Sequence, residues 1–555
     1  MVKGFFAILT AYDAVERMIA WESKIDDAPV NLGFESIPNS DHYVAVKPWD
    51  IYPCGKYRGD YELTVRVEER SKSGAGQRLL FNRPQRREEM ITMNVEIMTL
   101  AGTQRALDTT AVANLRSRVR GPLLTAADAG YDAARRIWNA MIDKRPALIV
   151  RCAGAADVRE AVRFAAAHEV LTSVRGGGHN VAGTAVCDGG LMIDLSSLKG
   201  IQVDPVARTA WAQPGLLWQE FDHETQAFGL ATTGGAVGET GIAGLTLGGG
   251  VGWLVRQYGL TCDNLLAADV VTADGQLRRA APEENAELFW ALRGGGGNFG
   301  VVTAFHYRLH PVSTVLAGLV VHPRGAARDV IRFHRDFIVA APEELTSYVG
   351  LITAPDGQPV VALASCYCGD LEEGERVLRP LREFGSPLID DIQPIPYPAM
   401  QGVFGPAFPW GNRNYWKSSF LRELPDAAVD AVLEHTNRAR SPLSAVALEY
   451  YGGAASRVAA DATAFPHRAA TFNCLILGQW RDSAEDPVHI RWVRDGWEAI
   501  RPWASGAAYV NALGDDESAQ AVRAAYGANY PRLAALKAKF DPNNLFRLNQ
   551  NIKPA

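Results

Sequence analysis

Glycine gathers in three dense clusters along this chain, at 176–178, 234–252 and 294–300. No other feature restricts the fold as much. Glycine loses more conformational freedom on folding than any other residue and weakens helix and strand interiors. A domain built around such stretches must therefore place irregular backbone at its centre. The middle cluster repeats glycine every third residue at Gly235, Gly238, Gly241 and Gly244, then continues through Gly248, Gly249, Gly250 and Gly252. Each glycine costs roughly 1 kcal/mol relative to alanine in a helix, so no stable helix is expected here. Val237, Ile242, Leu245, Leu247 and Val251 are interleaved, which argues against a water-exposed linker. Two readings remain: buried irregular backbone lying against a ligand, or a glycine-rich crossing inside a core.

The first cluster lies in Val174-Arg175-Gly176-Gly177-Gly178-His179-Asn180-Val181, before the strand-like run at 191–195. Successive backbone N–H groups in such a loop can form a nest for a pyrophosphate, with the nucleophilic ring of His179 beside it. The other reading is a tight surface turn. In the third cluster Gly295, Gly297 and Gly300 satisfy G-x-G-x-x-G. A dinucleotide-binding site needs a strand before that motif and a helix after it. The pattern here has a helix before it and a strand after it, so the Rossmann reading is rejected. No P-loop sequence is present.

From about residue 115 the chain alternates α and β patterns. Strands are expected at 147–150, 191–195, 209–213, 267–272 and 299–309, and helices at 156–168, 216–228 and 284–292. After Pro311 long helices at 326–340, 371–384 and 426–440 alternate with β-rich runs at 348–352, 360–368, 445–451 and 474–480. That pattern suits one sheet with helices on one face, a second unit of α+β type. Residues 1–92 differ: 70–89 is polar and Arg-rich, the composition of a disordered or linking segment. The expectation is that translation starts at Met90 or Met93, the alternative being a small appended domain; N-terminal sequencing of the native protein tests it, a peptide from the first 80 residues counting against the later start.

Charge narrows the partners. Charged residues are 21% of the chain and the net charge is −6, so no basic field exists to neutralise nucleic-acid phosphates. The seven cysteines are scattered, and no histidine cluster or second cysteine pair completes a zinc site. No signal-peptide pattern or run of ~18 apolar residues is found, and the expectation is a cytoplasmic protein without membrane or metal.

Four motifs in order carry a resemblance: Arg175-Gly-Gly-Gly-His179; Gly241-Ile-Ala-Gly-Leu-Thr-Leu-Gly-Gly-Gly250 with Tyr258-Gly-Leu-Thr-Cys-Asp-Asn264; Leu292-Arg-Gly-Gly-Gly-Gly-Asn-Phe-Gly300; and Tyr509-Val-Asn511 with Asp541-Pro-Asn-Asn-Leu-Phe546. From about residue 115 onward the chain resembles the berberine-bridge-enzyme-like flavoproteins of the vanillyl-alcohol-oxidase (p-cresol methylhydroxylase) family. The resemblance implies an α+β fold with a two-part FAD-binding domain, not of Rossmann type. Residues 110–310 and the berberine-bridge-like segment 501–555 would enclose a substrate domain at 311–500, an antiparallel sheet covered by helices.

The resemblance also implies site residues. His179 would carry FAD covalently through the flavin 8α-methyl group, and Arg175, Gly176, Gly177, Gly178, Asn180 and Val181 would nest the pyrophosphate. The middle cluster, with Val237, Thr240, Gly241, Gly244, Gly248, Gly249, Gly250 and Gly252, would line the rest of the cofactor. Val302 would lie beside the adenine, while Asn549 and Asn551 would border the flavin ring. Many members have a second link through a cysteine near Val237. No cysteine lies between Cys187 and Cys262, so one covalent bond is expected.

Tyr509 matches the position of a residue that faces the flavin and is the expected base. An unperturbed tyrosine has pKa ~10, so it needs help to act near neutral pH. Tyr450, Tyr451, Trp410 and Trp416 are either an aromatic pocket wall or plain core. The implied activity is an oxidase of a small alcohol, sugar or amine with molecular oxygen as acceptor. The alternatives are a dehydrogenase using another acceptor, or a flavin-binding protein without turnover. The oligomeric state is not legible.

Overall fold

A computed structural model describes residues 95–555. The expected extension at 1–92 lies outside the described residues.

The strand Thr172–Arg175 and its parallel neighbour Leu191–Asp194 belong to a four-stranded sheet with Leu148–Arg151 and Leu123–Leu124. The crossover helix Ala155–Ala167 buries Val158, Ala161, Val162 and Ala165, the face its 3.6-residue period predicts. The parallel geometry carries the chain out of Arg175 at the C-terminal edge of the sheet, where the Gly176–Gly178 loop begins. A five-stranded antiparallel sheet follows, in the order Leu277–Ala280, Leu265–Val271, Val301–Arg308, Thr209–Ala212, Ile201–Asp204.

The third large sheet is antiparallel and has eight strands. Its order is Ile389–Asp390, Thr314–Pro323, Pro359–Tyr367, Leu345–Thr353, Ala445–Tyr450, Phe472–Trp480, Arg413–Leu421, with Gln393–Pro396 also pairing Thr314–Pro323. Period-2 alternation divides its side chains. Val349 and Leu351, Val446 and Leu448, Ile476 and Trp480 share a core with the helices Ala327–Ala340, Leu371–Glu383, Asp426–Thr436 and Asp486–Ile500. Tyr348, Cys366, Phe420 and Leu475 face the other way, onto Trp253, Leu254, Val251 and Tyr509. The helix Asp486–Ile500 and the strands Thr314–Pro323 and Arg413–Leu421 were not read from the sequence.

The C-terminal helices Ala519–Tyr526 and Tyr530–Phe540 pack into the core formed by Trp218, Phe289, Phe299 and Phe305 of the earlier chain. Lys537 is fully buried and donates to Asn298 O at 2.7 Å, Phe546 O at 3.1 Å and Asp541 at 2.7 Å. Asp541 in turn accepts from the backbone N–H groups of Leu545 and Phe546. This buried pair is why the segment Asp541-Pro-Asn-Asn-Leu-Phe546 folds as a tight turn and delivers residues 548–550 to the interior.

One expectation is corrected. Ile242–Leu247 is a short helix despite Gly244. Thr246 Oγ1 bonds Ile242 O at 2.7 Å and pairs with Tyr307 Oη at 2.8 Å, while Ile242 N–H is held by Leu216 O. Tertiary packing outweighs the propensity cost, as it does for most short helices.

Candidate active site

The three glycine clusters converge on one cavity of about 310 Å³. Gly177 and Gly241 meet backbone to backbone: a Cβ on Gly177 would lie 2.6 Å from Gly241 Cα, and one on Gly241 would lie 2.6 Å from Gly177 N. Glycine at both positions is what lets the first loop rest against the middle segment. Of the expected residues, Gly176, Gly177, Gly178, His179, Asn180, Val181, Val237, Thr240, Gly241, Gly244, Val302, Tyr509 and Asn549 line the cavity. Gly296 and Gly297 of the third cluster line it as well.

Six expected residues do not. Arg175 turns back and donates from Nη1 to Ala134 O at 2.6 Å, supporting the loop from behind. Gly248, Gly249, Gly250 and Gly252 lie outside the cavity lining and give close packing between chain segments. The spaces their Cβ atoms would take are filled by Asn511 at 2.0 Å, Phe465 at 2.9 Å, Thr261 at 2.1 Å and Gly234 O at 2.4 Å, respectively. Asn551 is also displaced. Gln550 O accepts from Asn298 and Tyr526, and Ile552 N–H donates to Asn298, so the chain passes the cavity at Leu548, Asn549 and Gln550.

His179 is positioned by Trp138, whose ring stacks on the imidazole at 4.3 Å and 17°. Its Nε2 is buried and makes no hydrogen bond. Burial lowers its pKa to about 4, so the ring is neutral over the physiological range. Trp138 is itself fixed by a bond from its indole N–H to Phe408 O at 2.9 Å and by the edge of Trp416 at 5.3 Å.

Tyr509 enters on a short turn after residue 505, its backbone N–H held by Ser418 Oγ at 3.1 Å. Its phenol oxygen accepts from Gly250 N at 3.1 Å and Asn511 Nδ2 at 2.9 Å. With both acceptor directions used, its own proton is free for the cavity. Burial raises its pKa above the usual value, with a further push from the charge of Glu449. Tyr451 and Trp416 line the cavity, as the pocket-wall reading expects. Tyr450 does not: it faces the helical core, below the Arg256 guanidinium at 5.2 Å. Trp410 is 41% exposed and lies away from this cavity. Cys262 is buried outside the wall.

Sequence reasoning missed Trp138, Glu449 and Leu475, all of which pack around or line the cavity. The alternation of Ala445–Tyr450 gives the direction of Glu449, though not the cavity it faces. Val446, Leu448 and Tyr450 face the helices, so Glu449 must face the opposite side.

Comparisons with known proteins bear on this arrangement. Residues 146–281 match the model of an FAD binding domain, and 508–553 match the model described as berberine and berberine like. An FAD-linked oxidoreductase of Dictyostelium discoideum is 32% identical over 75% of this chain and 91% of its own length. The (R)-6-hydroxynicotine oxidase of Paenarthrobacter nicotinovorans is 32% identical over 79% of this chain and 97% of its own. The crystal structure of 6-hydroxy-D-nicotine oxidase from Arthrobacter nicotinovorans superposes with a TM-score of 0.73 at 30% identity, covering 79% of this chain and 98% of that one.

Proposed function

The chain belongs to the berberine-bridge-enzyme-like FAD-linked oxidoreductases, and we propose that it is an oxidase of a small alcohol, sugar or amine, with FAD joined covalently through His179 alone. The observation that carries the reading is the orphaned, neutral Nε2 of His179 on the wall of a glycine-lined cavity. A buried polar nitrogen without a partner is costly, and a bond to the cofactor removes the cost. The residues fit FAD in other ways. The loop 176–181 offers backbone N–H groups to a pyrophosphate. Val237, Thr240, Gly241 and Gly244 would meet the adenosine and the isoalloxazine, Val302 the adenine, and Asn549 the ring.

FAD bound there would supply hydride acceptance from the substrate carbon at flavin N5 and passage of the two electrons to oxygen, with hydrogen peroxide as the product. The protein's own part is to orient the substrate and move a proton. Tyr509 takes the substrate's O–H or N–H proton at its phenol oxygen. Tyr509 does this as the phenolate, which Gly250 N–H and Asn511 Nδ2, already aimed at that oxygen, stabilise before the proton arrives. The nicotine-type oxidases among the relatives support an oxidase over a dehydrogenase.

The test is a visible spectrum of purified protein followed by acid precipitation, with steady-state peroxide measured in parallel. Yellow colour retained in the pellet, a mass increase of one FAD, and loss of both in His179→Ala are expected. Colour released to the supernatant would overturn the covalent link. Substrate turnover without peroxide would make the protein a dehydrogenase, and a colourless protein that FAD cannot reconstitute would end the flavoenzyme reading.

A further inference from the structure

We propose that Glu449 anchors a positively charged nitrogen, so that the substrate of this cavity is an amine protonated near neutral pH. The inference rests on the flavoenzyme reading and narrows its substrate class.

Glu449 supplies the one carboxylate of the cavity wall among the described residues, and no lysine or arginine lines it. Strand alternation fixes its direction, because Val446, Leu448 and Tyr450 on the same strand take the helical side. Its two oxygens differ. Oε2 accepts from Tyr451 Oη and from Asn473 Nδ2 at 2.9 Å, and Asn473 also bonds Tyr451 Oη at 2.9 Å. This triangle locks the carboxyl in place. Oε1 has no donor from the protein, and Glu449 lines the cavity.

Glu449 is half-buried with one carboxyl oxygen unmatched by the protein, and a cation there would complete it in its charged form, where a neutral partner leaves it to take up a proton. The rings of Trp416, Tyr451 and Tyr509 share the wall, and aromatic faces attract cations. An anionic substrate would be repelled, and a neutral polyol would leave the charge uncompensated. Burial alone pushes the Glu449 carboxyl upward, while an adjacent ammonium favours its charged form.

Matched pairs test this: benzylamine and benzyl alcohol, phenethylamine and phenethyl alcohol, glucosamine and glucose. Each is titrated into the purified protein and into Glu449→Gln and Glu449→Asp. Binding is read by thermal shift, and the flavin content of each sample by its visible spectrum. At least one amine is expected to bind about tenfold or more tightly than its alcohol. That ratio should fall to about twofold or less in Glu449→Gln and recover in part in Glu449→Asp, the residual preference being the aromatic contribution. If no amine is preferred by the unsubstituted protein, or if Glu449→Gln keeps the preference, the proposal is overturned. The comparison in the unsubstituted protein decides even where a variant does not fold. Because thermal shift needs no turnover, a colourless protein would sink the flavin reading while still reporting on the amine preference.

Discussion

At the residue scale, Tyr509, Asn511 and Gly248 act together. Burial and Glu449 hold Tyr509 as a phenol above its usual pKa, so the phenolate fraction grows as pH rises. If Tyr509 accepts the proton, kcat rises between about pH 6 and about pH 9, and Tyr509→Phe removes the rise and lowers kcat by roughly 10²-fold. Flavin content should not change in that variant, and a pH–rate profile with the visible spectrum checks both. Gly248→Ala tests the support. Its Cβ would fall 2.0 Å from Asn511 Oδ1, pushing the amide off the Tyr509 oxygen. Steady-state kinetics should show kcat lowered by about tenfold or more with FAD retained. His179 was legible in the sequence because its flanking glycines are a local signature. Glu449 was not, because an acid on a strand with helices over only one face reads as solvent-facing until the opposing surface is known.

At the element scale, the helices Trp218–Gln226 and Tyr397–Gly402 meet through Asp222 and Gln401. Asp222 Oδ2 accepts from Gln401 Nε2 at 3.0 Å, while Asp222 Oδ1 and Gln401 Oε1 are both buried without a partner. Burial raises Asp222 to about 7 from an ordinary value of 3.8. The folded pKa lies above the unfolded one, so stability is full below 3.8 and is lost as pH climbs through 7. Asp222→Asn removes that charge and gives Gln401 Oε1 a donor. We expect it to raise the apparent Tm at about pH 8, worth roughly 2–4 kcal/mol, and by clearly less at about pH 5. Differential scanning fluorimetry at the two pH values decides it. Four strands of the eight-stranded sheet and three of its helices are legible from their periods, while the strands Thr314–Pro323 and Arg413–Leu421 and the helix Asp486–Ile500 are not. The Ile242–Leu247 helix was misjudged because its stability comes from Leu216 and Tyr307, not from its own residues.

At the scale of the whole molecule, a few buried polar contacts join the glycine-rich segments to the eight-stranded sheet. Arg468, at the approach to Phe472–Trp480, grips both oxygens of Asp263 at 2.7 Å, and the pair is almost wholly buried. Asn139 donates to Val181 O and Asn414 O at 2.8 Å each. Breaking a buried pair strands a charge at a cost of about 3–5 kcal/mol. Asp263→Ala should therefore lower the apparent Tm by several degrees, followed by thermal unfolding with tryptophan emission. The sequence by itself determined the glycine clusters, the histidine among them, and the Asp541–Phe546 turn that closes the chain. A close backbone approach or a tight turn needs particular residues wherever it occurs, so these features leave a local mark. Only the tertiary structure decided which glycines face the cavity, Gly176–Gly178, Gly241 and Gly244, and which face another segment, Gly248–Gly250 and Gly252. It also decided that Glu449 and Trp138 belong to the site. The direction a residue faces follows from local geometry, but what it faces is set by segments hundreds of residues away.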